Sequence, residues 1–128
     1  MKTHAFRLKP NQLLKESIEN YVFENDIKAG VILSGVGSLS FASIRMADES
    51  LKTFDQNFEI VSIIGTLSKE GCHLHISLSD KNGTVIGGHL KDGCKIHTTA
   101  EIVLGEITEK VFLRNMDENT GFKELSIN

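Results

Sequence analysis

A single amphipathic helical stretch, followed only by strand-length segments, constrains this chain more than any other feature. Leu13-Leu14, Ile18 and Tyr21-Val22 recur at helical spacing behind Asn11, a favoured N-cap residue type. The only proline, Pro10, stands just before them, and the spacing predicts a helix over 11–25. Ahead of it His4 to Leu8 alternates as a short opening strand. Behind it run apolar and β-branched segments at 29–33, 34–39, 41–46, 58–67, 72–79, 84–90, 94–107, 111–114 and 122–127, while 47–57 is polar and loop-like. Most of the connections are short, which suits hairpins rather than helical crossovers. The pattern predicts an α+β fold: a largely antiparallel mixed sheet of about seven strands with one main helix packed on it.

Length and composition narrow the functional classes. A chain of 128 residues is one domain, spanning 1–128, and buries enough surface to fold without disulfides or metal. Apolar runs stop far short of the about 20 residues of a membrane helix, so no membrane partner is expected. With 14 basic against 17 acidic residues the net charge is −3, and no Lys/Arg stripe is present. Proteins that grip the DNA backbone normally neutralise several phosphates with such a stripe. Two cysteines, Cys72 and Cys94, make no disulfide framework and read as small core residues. Met1-Lys2-Thr3-His4 leads straight into the first strand, so a cytoplasmic location is the default expectation.

Four of the five histidines lie between 73 and 97, and the strand period decides which of them can meet. In 72–79 the even positions Leu74, Ile76 and Leu78 are apolar, which puts His73, His75 and Ser77 on the opposite face. Asp80-Lys81-Asn82-Gly83-Thr84 suits a three-residue hairpin loop with Gly83 left-handed. Counting outward from that turn, Leu78 faces Ile86, Ile76 faces Gly88, Ser77 faces Gly87 and His75 faces His89. Gly87 and Gly88 leave space beside His89. Directly opposed Cβ atoms lie about 5 Å apart, and diagonal neighbours stay within reach. His73, His75 and His89 thus form a candidate three-ligand site for a divalent transition metal, zinc favoured, with an open fourth position. Ligands must be deprotonated, so occupancy is expected to fall below about pH 6. Three readings stay open: a metal site, a polar or trimer-forming seam, or exposed histidines without a shared role.

Weaker signals surround this cluster. His97, Thr99 and Glu101 alternate along the next strand, and Glu101 is a candidate fourth ligand or orienting carboxylate. Arg45 is a lone cation, either a candidate pocket residue for a substrate carboxylate or Glu59, or a solvated strand charge without a role. Gly35-Val36-Gly37-Ser38 lacks the following Lys and helix of a phosphate loop and reads as a turn or bulge. His4 reads as a surface residue. No nucleophile triad is defensible, and a metal-bound water is the one catalytic candidate.

Gly35-Val36-Gly37-Ser38-Leu39, Phe58-Glu59-Ile60-Val61-Ser62, His73-Leu74-His75-Ile76-Ser77-Leu78, Gly87-Gly88-His89-Leu90 and Thr98-Thr99-Ala100-Glu101 occur in the order found in the PPC family, the plants and prokaryotes conserved domain. The resemblance covers nearly the whole chain. It implies a compact α+β fold, assembly into homotrimers and a DNA-binding or regulatory role. The Arg-Gly-Arg-Pro AT-hook of the plant proteins has no counterpart here, so the fold and assembly carry over further than the DNA-binding label. Two alternatives stand beside that label: a small zinc-water enzyme, and a trimeric protein-interaction module.

Overall fold

The computed structural model describes residues 1–128. Nine strands and one helix follow in the order β1 (Lys2–Leu8), α1 (Leu14–Glu24), β2 (Gly30–Arg45), β3 (Leu51–Phe54), β4 (Phe58–Ser68), β5 (Gly71–Ser79), β6 (Val85–Leu90), β7 (Lys95–Glu106), β8 (Phe112–Met116) and β9 (Lys123–Ile127). Seven strands form one sheet in the order β1-β7-β2-β4-β5-β6, with β3 added on β2, and β8-β9 is a separate hairpin. Every pairing is antiparallel. The expected α+β architecture is therefore present, but the sheet is not mixed.

The 16-residue β2 organises the fold. Three short sequence segments merge into this one strand because bulges near Ile32, Gly37 and Leu39 let it bend without breaking. Its first half pairs with β4 and β7, and its second half pairs with β3 and with β6. As β6 returns to the far end of β2, strands β2, β4, β5 and β6 close into a ring. Gly88 permits that closure: a Cβ there would stand 2.7 Å from the Arg45 carbonyl oxygen and 2.7 Å from Ile44 Cγ2. The Gly87-Gly88 pair thus serves strand approach rather than open space beside His89. Segment 47–57 also holds the short β3, which polar composition hid.

Helix α1 buries Leu14, Ile18 and Val22, one residue per turn, against the sheet. It starts later than the sequence suggests, and Asn11 is not its N-cap. Asn11 sits at φ 71 with its N–H donating to Ile96 O, while the Leu14 N–H donates to Cys94 O. Backbone pairing to the start of β7 takes the place of a side-chain cap. At the other end the N–H groups of Asp26 and Ile27 donate to Phe23 O and Val22 O, a Schellman closure with Asp26 left-handed.

His4 is a correction to the surface reading. It is 8% exposed, with Nε2 2.7 Å from Glu106 Oε2 and Nδ1 3.1 Å from the Tyr21 hydroxyl. On β1 it alternates to the inner face, opposite Leu104. His4→Ala would leave Glu106 and Tyr21 without this partner, at an expected cost of about 1–3 kcal/mol in urea unfolding. Because His4 lies apart from the other histidines, metal content is expected to stay unchanged in that variant.

Candidate metal centre

Strand alternation delivers the three histidines to one outer face. On β5, Leu74, Ile76 and Leu78 enter the core, and His73 and His75 point the other way. The β5–β6 register pairs His75 with His89, Ile76 with Gly88, Ser77 with Gly87 and Leu78 with Ile86, as the hairpin arithmetic requires. Ring centroids lie 5.0 Å apart for His73 and His75, 5.1 Å for His73 and His89, and 5.5 Å for His75 and His89. One nitrogen from each ring lies within 4.8 Å of the others. A tetrahedral ion with 2.0–2.1 Å bonds needs about 3.4 Å between donors, so small side-chain rotations close the difference.

Electrostatics disfavour the cationic form of two of these rings. Burial, then the Arg45 guanidinium, then the neighbouring imidazoles push the His89 pKa down to about 4. Burial and His75 likewise lower that of His73. Arg45 is in direct register with His89 across β2–β6, which explains its influence. His89 Nδ1 is buried and has no hydrogen-bond partner. A buried ring nitrogen without a partner costs about 1–3 kcal/mol, and a metal bond would remove that cost. Three imidazoles, with one nitrogen of His89 left unpartnered, fit a borderline-soft divalent ion.

The other residues that the sequence singles out lie elsewhere. Glu101 pairs with Arg7 and Val36 on β7 and is outside the imidazole group. Glu59 stands opposite Ser38, midway along β2 and away from Arg45 at its end, is in register with Ser79, and lines a separate cleft with His97. The Arg45–Glu59 pair is therefore not formed: bends in β2 separate positions that the linear reading left free to meet. Burial pushes the Cys72 and Cys94 thiols up to about 12 and about 11, so neither supplies a thiolate at neutral pH.

Sequence reasoning missed the contribution of the terminal hairpin. A cleft of about 250 Å³ runs from His73 and His89 to Arg45 and to Arg114, Phe122 and Lys123 of the β8-β9 hairpin. Arg114 ties the hairpin down: its backbone N–H donates to Glu70 Oε2 at 2.5 Å and its Nη2 donates to Thr66 Oγ1 at 2.9 Å. Phe122 lies 5.8 Å from the Arg45 guanidinium. Both strands of the hairpin were legible, but their docking was not, since it depends on contacts more than 40 residues apart in sequence.

Comparison with known proteins places this geometry in context. The sequence signature described as the Plants and Prokaryotes Conserved (PCC) domain matches residues 1–108. A curated relative, the bifunctional protein GlmU of Synechococcus sp. (strain JA-3-3Ab), is 41% identical over 128 residues, covering 99% of this chain and 21% of the relative. The chain thus spans about a fifth of the curated relatives it matches. A hypothetical protein from Salmonella enterica is 35% identical with TM-score 0.96, covering 99% of this chain and 93% of that one. A metal-containing protein from Archaeoglobus fulgidus is 28% identical with TM-score 0.78, covering 98% and 94%. A structure from Bacteroides thetaiotaomicron, named as a candidate DNA-binding protein, is 20% identical with TM-score 0.88, covering 97% and 91%. At that last identity only the fold carries over.

Proposed function

The chain belongs to the Plants and Prokaryotes Conserved domain family, and from that premise we propose that it is a homotrimeric zinc-binding domain whose metal faces a ligand cleft. The observation that carries the reading is the convergence of His73, His75 and His89, with the His89 Nδ1 buried and unpartnered. The name of the Archaeoglobus protein, a metal-containing relative of the same fold, supports it. When bound, the ion supplies a Lewis acid with an exchangeable position. The chain's own residues supply the rest: β5 and β6 hold the three nitrogens, burial and Arg45 keep His89 neutral, and the β8-β9 hairpin walls the cleft.

Assembly is the second part of the proposal. The exposed apolar side chains Leu33 and Val36 on β2 and Val61 and Ile64 on β4 support it, as does the homotrimeric state that the family resemblance implies. A duplex-DNA role is the family-level alternative, favoured only by the names of structural neighbours. The net charge of −3 runs against it, since generic DNA binding rests on phosphate neutralisation. No helix is long and apolar enough to cross a membrane.

Elemental analysis of untagged protein after zinc incubation and gel filtration tests the metal. About one zinc per chain is expected from a three-ligand site. Protein that stays metal-free after exposure to zinc, nickel, iron and manganese would reduce the histidines to a polar seam.

A further inference from the structure

Arg45 and Arg114 both line the cleft beside His73 and His89, and neither has a carboxylate within salt-bridge distance. The carboxylates that do line the cleft, Glu70 and Glu124, leave both guanidiniums unpaired, and Glu70 is engaged by the Arg114 backbone N–H. Lys123 adds a third cation. Against these three positive groups and two negative ones, all three candidate metal ligands are neutral imidazoles, which cancel none of a divalent ion's charge. A loaded site would therefore place a dication beside two half-buried guanidiniums in a shared cleft. Glu70 and Glu124 offset only part of that repulsion: the three cations outnumber them by one before the ion's own two charges are added.

We propose that the missing charge comes from a ligand: the cleft binds a small carboxylic acid, its carboxylate held by Arg45 and Arg114 and oriented toward the metal's open position. The inference rests on His73, His75 and His89 holding a divalent ion. A carboxylate is the planar two-oxygen acceptor that matches a guanidinium fork. The cleft volume of about 250 Å³ suits a molecule of a few carbons rather than a polymer. Phe122 packs near the Arg45 guanidinium and confines its position, and the Arg114–Thr66 bond holds the second cation in place. Arg45 is carried by a strand whose register with β6 fixes it opposite His89, so one end of the ligand is set relative to the metal.

Isothermal titration calorimetry with lactate as probe tests this on the zinc-loaded protein, with uncharged lactamide and inorganic phosphate as comparisons. Lactate is expected to bind at least about tenfold tighter than lactamide, since two charge-assisted hydrogen bonds are at stake, and tighter than phosphate, whose tetrahedral oxygens do not offer the planar carboxylate edge. Arg45→Gln is expected to lose about tenfold in lactate affinity with zinc content unchanged, and Arg45→Lys to recover part of it. Zinc-loaded protein that gives no heat with lactate, or that binds lactamide or phosphate as tightly, would overturn the carboxylate site and leave the metal reading intact. Protein that takes up no zinc but binds lactate in an Arg45-dependent way would overturn the metal reading and sustain the anion site.

Discussion

His89→Ala is expected to remove zinc binding from this protein almost completely. Structural zinc sites with four ligands bind with about 10–16 kcal/mol, or about 3 kcal/mol per ligand if shared equally. Losing one ligand then weakens binding by about a hundredfold. His89 matters most because it alone comes from β6, whereas His73 and His75 share β5 and cannot enclose an ion by themselves. The protein should stay folded, because His89 is on the outer face and the core residues Ile76, Leu78 and Leu90 are untouched. His97→Ala is the control: His97 lines the cleft with Glu59 and should leave zinc at the wild-type level. Zinc retained at full stoichiometry in His89→Ala, measured by elemental analysis after gel filtration, would break the site as drawn.

Acid titration of the same samples reports on the preparation of the rings. His89 is held at about 4 in the folded chain, mainly by burial and by Arg45. An unfolded histidine titrates near 6.5, so between about 6.5 and 4 the unfolded state binds the extra proton. Stability is therefore expected to fall as pH drops through that window, even without metal.

How much of this was legible depends on the range of the interactions involved. The histidine triangle was readable because strand alternation and one turn at 80–84 fix it, and both act within 17 residues. The single helix was readable from Leu14, Ile18 and Val22, but its start was not, since backbone pairing with Cys94 and Ile96 sets it. His4 was misread because its partners, Tyr21 and Glu106, lie 17 and 102 residues away. The cleft was half visible. Arg45 stood out as a lone cation, yet its place opposite His89 needed the bent β2 and the missing Cβ of Gly88. Arg114 carried no local signal.

Val61→Glu combined with Ile64→Glu is expected to convert the assembled protein from a trimer to a monomer. Val36 and Leu33 on β2 and Val61 and Ile64 on β4 lie between the two paired stretches of these strands, Val31 with Thr66 and Gly37 with Ile60. Val36, Leu33, Val61 and Ile64 are 53%, 49%, 57% and 62% exposed, four apolar side chains on the outside of two neighbouring strands. Bulges at Ile32 on β2 and Ile60 on β4 are what turn them outward together. Contiguous apolar surface of this kind marks an interaction site in a folded domain. Burying it against further copies of the same chain removes it from water at about 25 cal/mol per Å². Two glutamates per chain would instead bring unpaired like charges into each contact, a cost of several kcal/mol that a modest interface cannot offset. Light scattering should read about 42 kDa for the wild type, three times 14.1 kDa, and 14.1 kDa for the double variant. The substitutions lie on the outer face and leave Ile60 and Ile63 in the core, so the monomer should keep its sheet by circular dichroism. A wild type that is monomeric at micromolar concentration, or a double variant that remains trimeric, would show that this patch is not the assembly surface.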